Sequence, residues 1–349
     1  MAIATGLAGF GMSGKFFHAP FISSHPAFWL KTILERSGSS CRQTYPEVAI
    51  AADYPELIRD PGIALIVIAV PNELHYEFAR MALEAGKHVV VEKPFANTVK
   101  EANDLILLSR STGKKIFVYH NRRWDGDFLT VRKILKSKLL GEILEYEATF
   151  NRYRPVPTNK AWREELRPGS GVLYDLSPHL VDQSLQLFGI PGFVWADIRT
   201  QRRGGIVDDH FEIKLFYGPL KVTLKAGVFV AEPGPRYAIH GRSGSFVKFG
   251  LDPQEEALKQ GLKPGGPQWG KEKPEYWGIL HRHFGDKTER LPYETEPGNY
   301  MAFYDNVAEA LVHNKPQAVK PEEGRDAIRI IELARESNLK KTVVNYIDQ

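Results

Sequence analysis

The chain has 349 residues, of which 43% are hydrophobic and 25% charged, and its formal net charge is +4. The apolar content excludes an intrinsically disordered chain, and a single cysteine, Cys41, excludes an intrachain disulfide framework and a thiolate zinc cluster. The mild charge without a basic stripe excludes a dedicated nucleic-acid-binding protein, and the longest apolar run, residues 63–70, is far shorter than the about 20 residues of a membrane span.

The length predicts two domains. The first residues lack the charged segment of a signal peptide, and one cysteine fits a reducing compartment. We therefore expect a cytoplasmic protein with no membrane or nucleic-acid partner.

The first 120 residues alternate short β-branched runs with helical patterns, which indicates a parallel sheet covered by helices. The predicted strands are Ile3–Ala8, Leu30–Leu34, Ile63–Val70, His88–Val91 and Lys115–Tyr119. One predicted helix runs from the turn after Ala8 to about Ser24, and two others span Glu73–Ala85 and Ala102–Arg110.

From about residue 124 the pattern changes to longer alternating segments, which favour an antiparallel sheet with two different faces. A linking helix is predicted over Leu129–Leu139, and further helices over Met301–Val312 and Asp326–Ser337. The predicted strands are Ile143–Arg152, Phe193–Thr200, His210–Tyr217, Lys221–Phe229 and Ala238–His240. Residues 251–296, rich in Gly, Pro and charge, predict a long excursion.

Together these elements predict an α/β protein. Residues 1–123 form a doubly wound, nucleotide-binding domain with a parallel sheet. Residues 124–349 form an α+β domain with a large open, mostly antiparallel sheet, which we expect to bind substrate and to mediate oligomerisation.

A glycine motif follows the first predicted strand and opens a helix. The run Gly9-Phe10-Gly11-Met12-Ser13-Gly14 matches G-x-G-x-x-G, whose glycines permit a tight turn, close approach of a pyrophosphate and close helix–strand packing. The helix N-terminus then attracts the phosphate anion. The context predicts dinucleotide binding by this turn, Phe10 included, rather than a merely structural turn.

The end of the second strand normally selects the dinucleotide. Glu35 stands where an acidic residue would bond the ribose 2′-hydroxyl of NAD. Arg36, Ser37 and Arg42 lie beside it, as the 2′-phosphate of NADP would require, although a solvated surface charge also explains Arg36. The residues alone leave the choice open.

The carboxyl ends of the next two strands face the ligand crevice of such a sheet, so we expect Pro71, Asn72, His75, Glu92 and Lys93 to contact the cofactor. After the first comes Pro71-Asn72, where Asn72 could bond the nicotinamide ribose or simply cap the helix, and where His75 is more often structural than catalytic. After the second come Glu92 and Lys93, and the lysine brings a compact positive charge to a place where a substrate alkoxide could develop.

The second half contains a helical pattern in which Asp175, His179 and Asp182 are spaced i, i+4, i+7 and share one face if the helix is continuous. Alternatively, Pro178 is the first helical residue after a Ser177 cap. In either case Asp175 and His179 can converge as a tunable proton acceptor, as a structural pair, or as part of a zinc site, for which further ligands at suitable spacing are lacking. We expect no metal.

Three clusters combine arginine with aromatic or amide side chains. We interpret them as a polyol or sugar pocket, because such groups bond hydroxyls and offer a flat apolar face, although interface salt bridges explain any single residue equally well. The candidate substrate residues are Asn121, Arg122 and Trp124; Arg152 and Tyr153; and Trp162 and Arg163.

These pieces in this order resemble the Gfo/Idh/MocA family of NAD(P)-dependent oxidoreductases, over essentially the whole chain. The resemblance rests on the glycine turn, on Pro71-Asn72-x-x-His75, on Ala85-Gly-Lys-His-Val into Glu92-Lys-Pro94, and on Gly171-x-x-x-Asp175-x-x-x-His179-x-x-Asp182. The segments at 119–125, 151–155 and 235–241 are similar to the branch that contains NADP-dependent scyllo-inositol dehydrogenases.

The resemblance implies that Lys93, Asp175 and His179 are the catalytic set, with His179 as general base, Lys93 stabilising the alkoxide and Asp175 orienting one of them. It implies a reversible alcohol–ketone conversion on a cyclic polyol or sugar, with NADP favoured over NAD and Arg36 as the phosphate contact. Glu35 departs from that pattern and keeps NAD possible. Relatives often pair through the second sheet, which implies a homodimer or homotetramer.

Two other functions use the same fold. Some relatives oxidise and re-reduce one sugar carbon to assist glycoside cleavage, or act on other carbonyls. A few are non-catalytic, nucleotide-sensing regulators, which the presence of Lys93, Asp175 and His179 disfavours.

Overall fold

The computed structural model describes residues 2–35, 38, 40–157 and 165–347. The described chain divides into two compact units. The first comprises residues 1–121, 254–269 and 299–325, and the second comprises 122–253, 270–298 and 326–349. The division after residue 123 thus stays a prediction, and two later segments group with the N-terminal unit.

A parallel sheet of six described strands organises the first unit. Its strands are β1 (Ile3–Ala8), β2 (Phe28–Leu34), β3 (Ala49–Ala51), β4 (Leu65–Ile68), β5 (His88–Val91) and β6 (Ile116–Val118). Their order is β3-β2-β1-β4-β5-β6, the order of a doubly wound dinucleotide-binding sheet. Strand β4 lies at the centre, and its four residues are fully buried, as its continuous apolar run predicts.

A mixed sheet of nine described strands organises the second unit. Its strands are β7 (Ile143–Thr149), β8 (Phe193–Arg199), β9 (His210–Tyr217), β10 (Leu220–Gly227), β11 (Tyr237–Gly241), β12 (Gly244–Lys248), β13 (Gly278–Phe284), β14 (Lys287–Tyr293) and β15 (Val344–Asn345). Their order is β14-β13-β12-β11-β7-β10-β9-β8-β15, and only the β7–β10 pair among them is parallel. The predicted α/β class with a second, mostly antiparallel sheet is confirmed.

Capping residues mark the start and the end of the best-defined helix. Thr98 and Glu101 form a capping box before the helix Val99–Thr112, and Gly113, in the left-handed conformation, follows its last turn. The described helices are α1 (Ala19–Ser24), α2 (Cys41–Thr44), α3 (Tyr54–Arg59), α4 (His75–Glu84), α5 (Val99–Thr112), α6 (Gly126–Lys136), α7 (Gly171–Phe188), α8 (Gln254–Lys259), α9 (Met301–Val312) and α10 (Pro321–Lys340). Shorter turns are a π-helical segment, Gly14–His18, and 3-10 segments at Asn72–Leu74, Asn121–Trp124 and Pro274–Tyr276.

Helix α7 packs against β9 and β10 and is continuous through Pro178. Of the two possibilities left open, the continuous helix is the observed one, and Ser170 rather than Ser177 precedes its first turn. Pro178 is tolerated because the residues around it, from Ser177 to Ser184, are buried against the sheet.

The prediction of a long excursion over residues 251–296 is wrong. This stretch contains α8 and the hairpin of β13 and β14, which extends the second sheet to its edge. Strand β14 is mostly exposed, so it lacks the apolar alternation by which strands are predicted. The short strands β3 and β12 were likewise not predicted.

Candidate active site

The glycine turn after β1 is shaped by two close backbone approaches. A Cβ on Gly9 would lie 2.5 Å from the Ala69 carbonyl oxygen, and Gly9 has a φ of +101°. A Cβ on Gly14 would lie 2.0 Å from the carbonyl oxygen of Gly9. By contrast, a Cβ on Gly11 would meet nothing within 4 Å. The turn therefore fits a dinucleotide: two glycines close it, and the third leaves open space where a pyrophosphate would approach.

This contrast predicts different effects for two alanine substitutions. Gly14→Ala should lower stability by about 1–3 kcal/mol or more, because the new methyl group overlaps a carbonyl. Gly11→Ala should leave the melting temperature nearly unchanged yet weaken dinucleotide binding by roughly tenfold, since the methyl group would occupy the space of the phosphate. Thermal melts and fluorescence titration with NADPH measure both. Equal destabilisation by the two variants would contradict this geometry.

The carboxylate of Glu35 is held within its own loop. Oε1 accepts a hydrogen bond of 2.5 Å from the Ser40 hydroxyl, and Oε2 accepts one of 3.0 Å from the Cys41 amide. Burial raises the pKa of Glu35, but these hydrogen bonds outweigh it and the net pKa is lowered, so the group is ionised at neutral pH. Arg36 and Ser37 lie outside the described residues.

The His75 ring forms hydrogen bonds with both of the loops that follow β4 and β5. Its ring is fully buried, with Nδ1 2.7 Å from the Pro94 carbonyl oxygen and Nε2 3.0 Å from that of Val70. Burial lowers the pKa of His75. Asn97 donates to the Asn72 carbonyl oxygen at 3.1 Å, across the same two loops. Cofactor contacts by Pro71, Asn72 and His75 stay predictions.

Glu92 and Lys93 come directly after β5. The Glu92 carboxylate is buried and accepts hydrogen bonds from the Ser13 hydroxyl, from His18 Nε2 at 3.1 Å and from the Lys93 amide at 3.0 Å. Burial alone would raise the pKa of Glu92, but the His18 contact, the Lys93 charge and Ser13 lower it to about 2. The Lys93 side chain is partly exposed. Cofactor contact by Glu92 stays a prediction.

In the second unit, α7 carries Asp175 and His179 one turn apart. Arg152 lies on the chain just after β7, and its Nη2 is 3.4 Å from Asp175 Oδ2. His179 is buried, and its ring lies 6.2 Å from that of Phe150. A carboxylate paired with a guanidinium thus lies one helical turn before an imidazole on α7, and such a combination suits a proton acceptor.

Asp182, the third acidic or basic residue on this face, has a structural partner. Arg123 donates from Nε to Oδ2 at 2.8 Å and from Nη2 to Oδ1 at 2.5 Å, and both side chains are buried. The next residue, Gln183, donates to the Arg122 carbonyl oxygen at 2.8 Å. These bonds fix the rotation of α7 relative to the segment that precedes α6.

The start of α7 is anchored by Asp208, which sequence reasoning missed. Its Oδ1 accepts a hydrogen bond of 2.6 Å from the Leu173 amide in the first helical turn. A Cβ on Gly171 would lie 2.2 Å from Asp208 Oδ2, so only glycine permits this approach. Burial raises the pKa of Asp208 to about 6, although the Leu173 hydrogen bond lowers it. The sequence offered no signal beyond an acidic pair before β9.

The raised pKa of Asp208 predicts a pH-dependent stability. The folded state binds this proton below about pH 6, whereas the unfolded chain binds it only below about 3.8, so stability from this group falls as pH rises between those values. Asp208→Asn removes this slope and keeps an acceptor for Leu173. Relative to the natural chain, the variant should gain up to about 3 kcal/mol between pH 4 and pH 7.

Denaturant unfolding at several pH values measures this gain, with the exposed Asp286→Asn as control. A stability difference between Asp208→Asn and the natural chain that stays constant with pH would contradict the assignment.

The predicted substrate residues are placed as follows. The Arg122 guanidinium lies 3.3 Å from the Asp125 carboxylate and 5.1 Å from the centre of the Phe150 ring, and the Arg236 guanidinium lies 3.8 Å from the same centre. Tyr153 is 59% exposed. Asn121 is buried, and Trp124 is partly buried. Trp162 and Arg163 lie outside the described residues. Substrate contact by all of these stays a prediction.

Lys93 belongs to the first unit, whereas Asp175 and His179 belong to the second. Their assignment as one catalytic set therefore stays a prediction, to be tested by substitution. Among the described residues, no group of three His, Cys, Asp or Glu side chains is arranged to hold a metal ion, and no helix combines the length and apolarity that crossing a bilayer requires.

Comparison with known proteins covers both units. A model of the Gfo/Idh/MocA oxidoreductase family, NAD-binding Rossmann fold, matches residues 3–120, and one of the same family's C-terminal alpha/beta domain matches residues 132–346. The chain is 38% identical to scyllo-inositol 2-dehydrogenase (NADP(+)) IolW of Bacillus subtilis, covering 98% of this chain and 95% of that one. It is 40% identical to the uncharacterised oxidoreductase YdgJ of Escherichia coli, covering 96% of each.

Two solved structures are similar over nearly the full chain. YvaA from Bacillus subtilis has a TM-score of 0.96 and 37% identity, covering 99% of this chain and 98% of that one. An oxidoreductase from Bacillus cereus has a TM-score of 0.89 and 35% identity, with the same coverage.

Proposed function

The chain belongs to the Gfo/Idh/MocA family of oxidoreductases, and on this premise we propose that it transfers a hydride between NADP and a secondary alcohol of a cyclic polyol or sugar, with an inositol-like substrate favoured. The observation that carries the proposal is the full-length similarity to an NADP-dependent scyllo-inositol dehydrogenase, in a chain that keeps Lys93, Asp175 and His179.

Each catalytic residue has a proposed role. His179 accepts the proton of the substrate hydroxyl, and the Lys93 ammonium donates a hydrogen bond to the oxygen as negative charge develops on it. The Asp175 carboxylate, one turn before His179, favours the protonated imidazole, and Arg152 holds that carboxylate in place. When bound, the nicotinamide supplies the hydride acceptor, and the products are a ketone and a reduced cofactor.

The Glu35 geometry supports NADP over NAD. Both Glu35 oxygens accept hydrogen bonds from Ser40 and Cys41, which engages the carboxylate within its own loop and leaves it less available to the ribose 2′-hydroxyl of NAD. Arg36 and Ser37 are the proposed phosphate contacts.

The proposed polyol contacts are Asn121, Arg122, Trp124, Arg152, Tyr153, Trp162 and Arg163. Donors and acceptors of these types bond several hydroxyl groups at once, as recognition of a cyclic polyol requires.

We further propose a homodimer or homotetramer in the cytoplasm. Support comes from one face of the second sheet, where carboxylates and ammonium groups alternate across β7, β9 and β10 as in the pairs Lys221–Glu145 at 2.9 Å and Lys225–Glu147 at 3.2 Å. Such a face is self-complementary. Buried Cys41, whose pKa burial raises to about 11, is unreactive and compatible with a reducing compartment.

The test is a panel of inositols and aldoses, each incubated with NAD and with NADP, while the absorbance of the reduced nicotinamide is followed. We expect turnover of a cyclic polyol with NADP, and about a thousandfold slower turnover with the Lys93→Met variant at the same concentration. Turnover of no polyol or sugar in the panel, together with oxidation of NADPH by non-sugar ketones or release of a glycoside-cleavage product in parallel assays, would contradict the substrate class. Tight nucleotide binding without turnover of any substrate would contradict catalysis itself.

A further inference from the structure

A buried polar cluster lies beneath the glycine turn and takes no part in the proposed chemistry. It consists of Ser13, His18, Glu92 and Tyr304, and we call it the Glu92 cluster. The side chains of His18 and Tyr304 are fully buried, and that of Glu92 is 11% exposed. Burying this many polar groups is costly unless all are bonded, so their arrangement has a structural reason.

The hydrogen bonds join Glu92, His18 and Tyr304 in a row. The ionised Glu92 Oε1 can only accept, so His18 Nε2, 3.1 Å away, carries a hydrogen. The pKa of Tyr304 is raised well above 10 by burial and by the Glu92 charge, so its hydroxyl keeps its proton. The hydroxyl oxygen of Tyr304 lies 2.6 Å from His18 Nδ1, so one hydrogen bond joins the two side chains. The His18 ring therefore bridges Glu92 and Tyr304.

Aromatic packing fixes the position of the His18 ring. The Tyr119 ring lies 4.2 Å from it, centre to centre, and the Tyr119 hydroxyl donates to the Phe17 carbonyl oxygen at 2.6 Å. The ring of Tyr304 stacks on that of Phe21 at 6.1 Å. Glu92 is therefore held by a rigid support rather than by solvent.

The two oxygens of Glu92 serve two different segments. Oε1 accepts from Ser13 in the glycine turn, and Oε2 accepts from the backbone amide of Lys93 at 3.0 Å. One carboxylate thus connects the segment that would bind the pyrophosphate with the segment that carries the proposed alkoxide-stabilising lysine.

We propose that Glu92 is a positioning residue, which fixes the glycine turn through Ser13 and the Lys93 backbone through its amide, and that His18 and Tyr304 hold Glu92 in place. The inference rests on the proposed function, because it takes Lys93 as the group whose position matters for the rate. It assigns Glu92 no contact with the reacting atoms.

Glu92→Gln is the first test. A glutamine amide nitrogen must face either the Ser13 and His18 hydrogens or the Lys93 amide hydrogen, so one side of the cluster loses its acceptor. We expect kcat to fall about 10- to 100-fold and the dissociation constant for NADPH to rise several-fold, with the Michaelis constant for the polyol nearly unchanged.

Ser13→Ala separates the two links that Glu92 makes: the turn arm, which is its hydrogen bond from Ser13, and the lysine arm, which is its hydrogen bond from the Lys93 amide. It removes only the link to the turn, so NADPH binding should weaken while kcat at saturating nucleotide stays within about twofold. In a Glu92→Ala background, which removes both acceptor oxygens, Ser13→Ala should weaken NADPH binding no further. Additive losses would mean that Ser13 binds the phosphate directly, and would overturn the proposed turn arm.

Tyr304→Phe tests the support while keeping the aromatic packing. We expect it to lower kcat in the same direction as Glu92→Gln but less. All rates are divided by the fraction of folded protein, which thermal melts give. Normal kcat and normal NADPH affinity per folded molecule in both Glu92→Gln and Tyr304→Phe would overturn the inference.

Failure of the proposed function is a separate outcome. If the natural chain turns over no polyol, the proposed function is wrong, and the role given to the Lys93 link is wrong with it. The NADPH titrations of the same variants still support or overturn the Ser13 link, because they do not depend on turnover.

Discussion

Replacing Lys93 with methionine is expected to lower kcat about a thousandfold and to leave the dissociation constant for NADPH within about threefold of its original value. Methionine keeps the unbranched stem but removes the ammonium group, so only the stabilisation of the developing alkoxide is lost. The backbone amide of residue 93 still donates to Glu92, and the loop after β5 should keep its shape. Single-turnover and steady-state rates, with NADPH fluorescence titration, measure the two quantities.

The control for Lys93→Met is Lys100→Met, which changes an exposed lysine in the first turn of α5 and should leave the rate unaltered. Lys93→Arg should recover less than about a tenth of the activity, since the planar guanidinium presents its donors in a different geometry. A Lys93→Met enzyme with more than half of the original kcat would contradict the role of Lys93.

Replacing His179 with asparagine is expected to lower kcat by about two to four orders of magnitude, because the hydroxyl proton then has no side-chain acceptor near neutral pH. The remaining rate should increase with hydroxide concentration and lack the ionisation of an imidazole. Helix α7 should stay intact, since its anchors are the Asp208 contact at its start and the Arg123–Asp182 ion pair further along. Measuring kcat against pH and the melting temperature tests both statements.

Combining the two substitutions tests whether the residues act on one step. If Lys93 and His179 assist the same alcohol oxidation, the double variant should lose little more than the worse single variant, as with other groups that act as a unit. The exposed His313→Asn serves as the control for histidine loss. Fully additive losses, or an unchanged pH profile in His179→Asn, would contradict a shared step.

The first unit was predictable because its signals are local. Strand β4 is a continuous apolar run with turn residues on either side, and the glycine motif sits directly between β1 and its helix. Glycine is required at position 14 because the carbonyl group of Gly9, five residues earlier, lies so close. It is required at position 9 because the carbonyl group of Ala69, just after the adjacent strand β4, does the same. Such patterns are visible in one sequence without knowledge of the packing.

The parts that escaped prediction depend on tertiary structure. Pro178 locally favours a helix start, yet the buried surroundings of α7 carry the helix through it. The partners His18 and Tyr304 are separated by 286 residues, and no short-range pattern links them. Strand β14 is the edge strand of the second sheet, and it is stabilised by pairing with β13 rather than by a buried face of its own.

The way the first unit is assembled from separated stretches also affects how the chain can be made. The rings of Phe21, Phe28 and Tyr119 pack against Tyr304, which belongs to the segment 299–325. A nascent polypeptide leaving the ribosome therefore exposes these aromatic surfaces until residues 299–325 have been translated. Truncation after residue 121 would remove the same aromatic partner permanently, so a nucleotide-binding fragment has to include residues 299–325 as well.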